Sequence, residues 1–344
     1  MAVKYWINGG VDNNWGTSGN WSLASGGGGG AGVPSSSDDV TFDGNGNVNC
    51  TIATSLRSSK TLTITSGYTS TITFTTGLSV LGNITINSGF AGTLSPNGGT
   101  LSMVTASGTW TSNGYIYSIP LGNNASTTIT LADDLKTTSN YTSNNNVVLT
   151  NNTLTVGGSI SIATGTASGT ANIIMNGSGS LSTAAGAILK NNVTINSAGS
   201  VTIGNMNYNT GTLTNTSGLI TSTGVISINT SNTTLDLAGA SIGGITVSVG
   251  GITITFKSGV ILTGSLTATG PIQSAHAFFV SSVGGVQRSV TLAQGATQSI
   301  NFLDATDINS SAGQTIWTWR GILSNTNNWN VMSTSPRTAS YTYC

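Results

Sequence analysis

Charge is scarce in this sequence. Only 5% of its 344 residues are charged, and nine Lys and Arg balance nine acidic residues, whereas about a quarter of a typical globular domain is charged. Because no basic cluster occurs, the electrostatic attraction that dominates nucleic-acid binding is missing, and we expect neither DNA nor RNA as a partner. The same lack argues against attachment to a membrane surface.

Glutamate is absent, since all nine acidic residues are Asp. Glutamate favours helices, whereas the abundant Thr and the 47 Gly favour strands joined by turns. A polar, weakly charged composition can also indicate disorder, but this chain is 37% hydrophobic, with Ile, Val and Leu in regular alternation. We therefore predict a folded, nearly all-β chain.

Long apolar runs are missing as well. The first residues, MAVKYWINGG, contain no apolar run of signal-peptide length, and no later segment approaches the length of a membrane span. We therefore expect synthesis in the cytoplasm without export, and no insertion into a membrane.

Histidine and cysteine are rare. The sole histidine, His276, has no Ser or Asp at a spacing that indicates a catalytic triad, so we expect it at a structural edge or between subunits. We interpret Cys50 and Cys344 as two unpaired thiols rather than as a disulfide. No His lies near either of them, so their spacing does not indicate a metal site. We expect no cofactor.

Short alternating segments fill the chain from about residue 50 to 285. Apolar and polar residues take turns in each, which predicts strands with one buried and one solvated face. Gly-, Asn- and Ser-rich turns separate them. Examples are TLTIT (61–65), STITF (70–74), NITIN (83–87), NTLTV (152–156) and GITITF (251–256).

The inward positions of these strands hold Ile, Leu and Val rather than aromatic residues. Small branched side chains that stack in register suit the narrow core of a parallel β-helix, or β-solenoid, and Asn-rich turns suit its corners. We predict this fold and keep tandem β-sandwiches as the alternative. No strict repeat length can be extracted from the sequence.

Six of the seven tryptophans lie near the two ends of the chain. A solenoid exposes an apolar cross-section and unpaired strands at each end, so its terminal elements differ from the repeats between them. We therefore predict an aromatic cap at each end, and keep a sugar-stacking platform as the alternative for the first three tryptophans. The predicted cap or attachment residues are Trp6, Trp15, Trp21, Phe42, Trp317, Trp319 and Trp329.

Three domains follow from this pattern: a Trp- and Gly-rich N-terminal module over 1–46, a β-helical body over 47–285 and a C-terminal β cap over 286–344. The glycine run 26–30 lacks the Lys and the helix that a phosphate-binding loop requires, so we interpret it as a flexible connector.

A resemblance to a known group rests on GGGGGAGVPSSSDDVTFDG (26–44), which follows the first tryptophans. The order of a Gly run, Val-Pro, a polar spacer and Asp-Asp-Val-x-Phe-Asp resembles the N-terminal signature of tail-fibre-like structural proteins of phages and environmental viruses. It is also similar to a motif of repetitive bacterial surface proteins. The C-terminal end of such proteins is similar to two segments of this chain, INFLDATDINSSAGQTIW (300–317) and NTNNWNV (325–331).

The resemblance implies a non-enzymatic, β-helical virion fibre on the tail or head, and no particular reaction. It implies a homotrimer located on the virion, with other virion proteins and a host-surface glycan as further partners. The lack of a leader and of a membrane anchor favours the viral group over the bacterial one. A tailspike polysaccharide depolymerase and a bacterial adhesin or filament subunit stay as alternatives.

A depolymerase would need two facing carboxylates. We interpret the aspartates as turn, cap or cation-binding groups and expect no catalytic residue. Asp304 and Asp307, in FLDATD, are weak candidates for a Ca²⁺ site, although they lack EF-hand spacing. The carboxylates available are Asp12, Asp38, Asp39, Asp43, Asp133, Asp134, Asp236, Asp304 and Asp307.

One aromatic patch lies inside the body, in GTWTSNGYIYS (108–118). Trp110, Tyr115 and Tyr117 fall close together there, with the two tyrosines expected on one strand face. Packing against a neighbouring repeat or a partner chain is one interpretation. The functional interpretation is contact with carbohydrate through ring stacking.

Overall fold

The computed structural model describes residues 2–10, 12–53, 55–105, 107–123 and 125–332. The chain is all-β, with 52% strand and 2% helix, and its parallel strands stack as a β-solenoid. The helical part of the described chain consists of two 3₁₀ turns, Ser18–Asn20 and Gly44–Gly46. The predicted fold is therefore confirmed, and the β-sandwich alternative is wrong.

Two compact units make up the chain, 1–180 and 181–344, and together they contain about 13 turns of solenoid. The division falls within the strand Gly179–Thr183. The domain boundaries predicted after residues 46 and 285 stay predictions.

The first unit contains short strands of two to five residues. In chain order they are β1 (Val3–Trp6), β2 (Trp21–Ser22), β3 (Asp39–Phe42), β4 (Cys50–Ile52), β5 (Arg57–Ser59), β6 (Thr61–Ile64), β7 (Thr71–Phe74), β8 (Leu78–Val80), β9 (Ile84–Ile86), β10 (Thr93–Pro96), β11 (Leu101–Met103), β12 (Ser107–Thr111), β13 (Ile116–Tyr117), β14 (Leu121–Asn123), β15 (Thr127–Leu131), β16 (Leu135–Thr137), β17 (Tyr141–Ser143), β18 (Val147–Asn151), β19 (Thr153–Val156), β20 (Ile160–Ile162), β21 (Thr166–Ser168), β22 (Asn172–Met175) and β23 (Gly179–Thr183).

Each coil of the first unit contributes strands to three parallel ladders. The first ladder runs through β1, β3, β6, β9, β12, β15, β18 and β21, with β2 added antiparallel to β1. The second has two separate parts, one of β4, β7 and β10 and one of β13, β16, β19 and β22. The third joins β5, β8, β11, β14, β17 and β20.

The second unit has some longer strands. They are β24 (Ile188–Leu189), β25 (Val193–Ile203), β26 (Met206–Asn207), β27 (Thr212–Thr221), β28 (Val225–Ile228), β29 (Thr233–Asp236), β30 (Ser241–Val247), β31 (Thr253–Phe256), β32 (Val260–Ala268), β33 (Ala277–Ser281), β34 (Arg288–Leu292), β35 (Thr297–Ile300), β36 (Leu303–Thr306), β37 (Ile308–Asn309), β38 (Ile316–Trp319), β39 (Leu323–Ser324) and β40 (Trp329–Met332).

Two parallel ladders dominate the second unit. One joins β25, β27, β29, β31, β33, β36 and β39, and the other joins β26, β28, β30, β32, β34 and β37. The long strand β32 also pairs with β35, and β38 pairs with β40.

Alternation along each strand separates core from surface. In β6, Leu62 and Ile64 are buried while Thr61 and Thr63 are partly exposed, and β31 repeats this pattern. Burying such a side chain contributes roughly 1.5–3 kcal/mol. The hydrophobic effect therefore fixes which face of each strand points inward, as the sequence predicts.

Asparagines at the corners connect successive coils. Seven of them lie directly before a strand and Asn209 lies in the loop before a strand; the Oδ1 of each accepts a hydrogen bond from a backbone N–H of the next coil. We call these contacts the corner amide bonds. In the first unit they join Asn49 to Thr71, Asn83 to Thr109, Asn140 to Ser159 and Asn146 to Thr166; in the second they join Asn192 to Thr212, Asn205 to Val225, Asn209 to Asn229 and Asn232 to Thr253.

The length of a coil varies. The corner amide bond between Asn140 and Ser159 spans 19 residues, whereas that between Asn83 and Thr109 spans 26. A fixed repeat is therefore absent from the sequence because corner loops differ in length while the strands they join stay in register.

Candidate functional site

The N-terminal end of the first unit is closed by an aromatic cluster of Trp6, Trp15, Trp21 and Phe42. Trp6 and Trp21 face each other across the antiparallel pair of β1 and β2, with ring centroids 5.2 Å apart. Trp15 lies 4.7 Å from Trp21, and Phe42 lies 6.0 Å from each of the three indoles. All four side chains are fully buried. The predicted N-terminal cap is confirmed.

Hydrogen bonds fix two of these indoles. Trp6 Nε1 donates to the carbonyl oxygen of Val48 at 2.9 Å, and Trp21 Nε1 donates to that of Trp15 at 2.7 Å. Trp15 Nε1 is buried with no hydrogen-bond partner in the described chain. Because all three indole rings are fully buried, a sugar cannot stack on them in this structure.

The glycine run 26–30 folds against this cap rather than linking two modules. A Cβ on Gly29 would lie 2.1 Å from the carbonyl oxygen of Gly19, so only glycine permits this approach of the two backbones. The N–H of Ala31 then donates to the carbonyl oxygen of Trp21 at 3.0 Å. The run therefore contacts the cap at Gly29, and its flexibility stays a prediction.

The C-terminal tryptophans have three different environments. Trp329 is buried and packs against Phe279 at 6.2 Å, and Trp319 packs against Phe302 at 4.8 Å. Trp317 is 40% exposed because β38 turns Ile316 and Thr318 inward and Trp317 outward. The ring of Trp317 therefore lies at the surface, and its role in the cap or in attachment stays a prediction.

Aromatic rings continue from the N-terminal cap into the following coils of the first unit. Successive ring centroids along this path lie 5.0–6.5 Å apart. Such spacing lets each ring pack against the next. We call this series the aromatic row; it comprises Phe42, Tyr68, Phe90, Tyr115, Tyr117 and Trp110.

The predicted carbohydrate-contact residues form the end of the aromatic row. Trp110 and Tyr117 are fully buried, and Trp110 Nε1 donates to Tyr117 Oη at 2.9 Å. Burial raises the pKa of the Tyr117 hydroxyl. Neither ring presents a face to solvent, so stacking of a sugar on Trp110 and Tyr117 is excluded in this structure. The turn at Gly114 places Tyr115 before β13 rather than within it.

Tyr115 itself is partly exposed and borders a shallow groove of about 240 Å³. Tyr115 Oη accepts a hydrogen bond from the N–H of Leu94 at 2.9 Å, which fixes the ring. Beside it, Phe90 is partly exposed and Ile116 is 55% exposed. We call this the Tyr115 groove; its lining residues are Asn87, Gly89, Phe90, Asn113, Gly114, Tyr115 and Ile116.

A second groove, of about 260 Å³, lies on the second unit and contains no aromatic side chain. Leu219, which is 67% exposed, dominates its apolar surface. We call it the Leu219 groove; its lining residues are Asn215, Gly218, Leu219, Ile220, Ala238, Gly239, Ala240 and Ser241.

The aspartates of the first unit hold backbone in place. Asp43 Oδ1 accepts from the N–H of Asn45 at 3.0 Å and caps a 3₁₀ turn. Asp133 accepts from the N–H of Ser112 at 2.7 Å and of Gly114 at 3.1 Å, while Asp134 accepts from the N–H of Thr153 at 3.1 Å. These contacts match the turn and cap roles that we inferred.

Three further aspartates have side-chain partners. Asp12 accepts from the hydroxyl of Thr17 at 2.9 Å, and hydrogen bonds lower the pKa of its carboxyl. Asp38 pairs with Lys4, with 3.2 Å between Oδ2 and Nζ. Asp39 accepts from the hydroxyl of Thr61 at 2.8 Å, and its Oδ1 lies 3.6 Å from Nζ of Lys60.

His276 has an orienting partner that sequence spacing could not reveal. Its Nδ1 lies 2.8 Å from Oδ1 of Asp304, 28 residues away, and its ring packs against Phe302 at 5.3 Å. Asp304 Oδ1 also accepts from the N–H of Ile322 at 2.6 Å. The pair therefore fastens the loop before β33 to the following coils.

The weak metal candidates are engaged in contacts with the protein. Asp307 accepts from the N–H of Gly285 at 2.8 Å and from Nδ2 of Asn325 at 2.5 Å, while Asp304 is occupied as just described. Within the described ranges, no group of three or more His, Cys or Asp residues is arranged to hold a metal ion.

Cys50 lies in the core, and burial raises the pKa of its thiol. Cys50 forms no disulfide within the part of the chain that the structure describes. Cys344 lies outside the described residues.

Comparison with known proteins yields no relative. No family model, curated protein or solved structure matches this chain. The resemblance to viral fibre proteins therefore stays a prediction. In the described part of the chain, no helix has the length and apolar character needed to cross a membrane.

Proposed function

We propose that this chain is a non-enzymatic structural protein of a phage particle, a surface fibre on the tail or the head that stabilises the particle or contacts the host. The observation that carries the proposal is a solenoid of parallel coils, closed at its N-terminal end by a buried aromatic cluster. Repeat folds of this kind hold an extended series of surface positions in fixed register.

The use of the carboxylates supports a structural role. Eight of the nine aspartates accept hydrogen bonds from the backbone or side chains of the protein. Hydrolysis of a glycosidic bond needs two carboxyl groups about 5–9.5 Å apart with access to the substrate. Groups committed to turns and corners are poorly placed for that task.

We further propose that the chain assembles as a homotrimer. Seven large apolar side chains of the described second unit, between Ile272 and Val331, are more than a third exposed. Where exposed apolar side chains form one contiguous patch, that patch is commonly an interface in an assembly. Other virion proteins would be the remaining partners, and the virion the location.

Two measurements test the proposal. Light scattering of the purified chain, with and without boiling in detergent, should give three times the chain mass and a species that resists detergent without boiling. Mass spectrometry of particles purified from the source of the gene should detect the chain in stoichiometric amount. A stable monomer would overturn the trimer, and absence of the chain from particles would overturn the virion assignment.

A further inference from the structure

Hydrogen bonds hold the turn that forms one wall of the Tyr115 groove. Asn113 and Gly114 both have left-handed backbones, with φ of 48° and 79°. The neighbouring coil holds this turn, because Asp133 accepts hydrogen bonds from the N–H groups of Ser112 and Gly114. Nδ2 of Asn113 donates to the carbonyl oxygen of Ile86 at 2.8 Å. A ligand would therefore meet walls already in place, which reduces the entropy cost of binding.

Two side-chain amides of the groove keep free hydrogen-bonding capacity, and its lining is uncharged. The side chain of Asn87 is exposed and makes no hydrogen bond within the described chain, and Oδ1 of Asn113 has no donor there. None of the lining residues carries a charge. An ionic ligand would find no counter-charge, and a purely apolar ligand would leave these amides without a partner.

The apolar part of the groove consists of ring surface. Phe90 and Tyr115, with centroids 5.0 Å apart, are both partly exposed, and Ile116 extends this surface. Aromatic surface beside a few hydrogen-bonding groups is the usual composition of a small-molecule site. A molecule with an apolar face and a rim of hydroxyl groups matches both parts.

We propose that the Tyr115 groove binds one ring of a neutral oligosaccharide. The C–H face of the sugar packs on Phe90 and Tyr115, and its hydroxyl groups exchange hydrogen bonds with the amides of Asn87 and Asn113. This inference deepens the proposed function and rests on it for the origin of the glycan, a host cell surface. At about 240 Å³ the groove is smaller than sites that enclose a whole ligand, so adjoining sugars stay outside it.

Saturation-transfer NMR on the full chain tests the proposal. The probes are neutral oligosaccharides of four to six residues built from glucose, galactose, mannose or N-acetylglucosamine. The test variants are Asn87→Ala and Ile116→Asp, which replace exposed side chains. The matched control is Leu219→Asp, since Leu219 is similarly exposed in a groove of similar volume that has no aromatic ring.

We expect millimolar or tighter binding of at least one probe by the unmodified chain. Asn87→Ala should weaken it about threefold to tenfold, the effect of one hydrogen bond, and Ile116→Asp should abolish it, while Leu219→Asp leaves it unchanged. Circular dichroism checks that each variant is folded. Binding of no probe, or equal binding by all three variants, would overturn the inference.

The outcomes separate this inference from the proposed function. A chain that is found in particles but binds none of the probes overturns only the saccharide site. A chain that binds a probe through the Tyr115 groove but is absent from particles overturns only the virion assignment.

Discussion

Oδ2 of Asp38 lies 3.2 Å from Nζ of Lys4, and this pair connects β1 to the loop before β3. The same carboxylate accepts hydrogen bonds from the N–H groups of Ala2 and Ser35. Burial opposes ionisation, but hydrogen bonds from Ser35, Lys4 and Ala2 outweigh it and lower the pKa of the Asp38 carboxyl to about 2. The N-terminal edge of the solenoid therefore depends on an ionised carboxylate.

We expect stability to decrease as the pH falls from about 4 towards about 2. The pKa of Asp38 is lower in the folded chain than its ordinary value of 3.8. Its ionised form therefore stabilises the fold above that value, and the contribution is lost as the pH falls through the folded pKa. Thermal unfolding over a pH series, followed by tryptophan fluorescence, measures this. Asp38→Asn should flatten the profile relative to the control Asp43→Asn; equal profiles would contradict the prediction.

Replacement of Tyr117 by Phe should destabilise the chain. The change leaves Nε1 of Trp110 buried without an acceptor, which costs about 1–3 kcal/mol. Denaturant titration gives the free energy of unfolding for Tyr117→Phe, Trp110→Phe and the double variant. We expect the double variant to be less destabilised than the sum of the two single ones, because the unpaired group is gone. Additive losses would show that the hydrogen bond contributes nothing.

Loss of a buried corner amide should cost more than loss of an exposed asparagine. Oδ1 of Asn209 accepts from the N–H groups of Asn229 and Thr230 at 2.7 and 2.8 Å, and the residue is fully buried. Asn209→Ala leaves both N–H groups without this acceptor, a loss of about 1–3 kcal/mol for each that stays unsatisfied. Asn176→Ala, at an exposed position, should change stability by less than about 0.5 kcal/mol. Equal effects in denaturant titration would contradict the role of the corner amide bonds.

Removal of a cap indole should destabilise the chain and promote association. Trp15→Ala opens a cavity in the N-terminal cluster, with an expected cost of about 3–5 kcal/mol, and exposes the apolar end of the coils. Trp317→Ala is the matched control, because Trp317 is 40% exposed and should tolerate truncation. Denaturant titration and size-exclusion chromatography measure the two effects. A Trp15→Ala chain as stable and soluble as Trp317→Ala would contradict the cap.

Local patterns predicted the strands and one end of the fold. TLTIT (61–65) and NTLTV (152–156) contain β6 and β19, because alternating side chains specify the buried face without information from other coils. The N-terminal tryptophans identified the cap, since such large apolar side chains in a charge-poor chain have few places other than an end. The length of a coil could not be predicted, because the corner loops differ in length while the strands they join stay in register.

Contacts between side chains of different coils could not be predicted from the sequence. Asp304 is 28 residues from His276, and no spacing rule connects the two. Alternation predicts Tyr115 and Tyr117 on one strand face, whereas the left-handed turn at Gly114 places Tyr115 before β13. Trp110 and Tyr117 pack in the core, as the packing interpretation expects, and Tyr115 is partly exposed.

The in-register pairing of successive coils makes each coil a unit that the gene can gain or lose. Val147 of β18 pairs with Ala167 of β21, so residues 147–166 form one coil. Deleting that segment would bring Ala167 into the place of Val147, beside Thr127. In such folds stability is nearly a sum over neighbouring repeats. Unequal recombination within the gene can therefore lengthen or shorten the protein by whole coils while its cap is inherited unchanged.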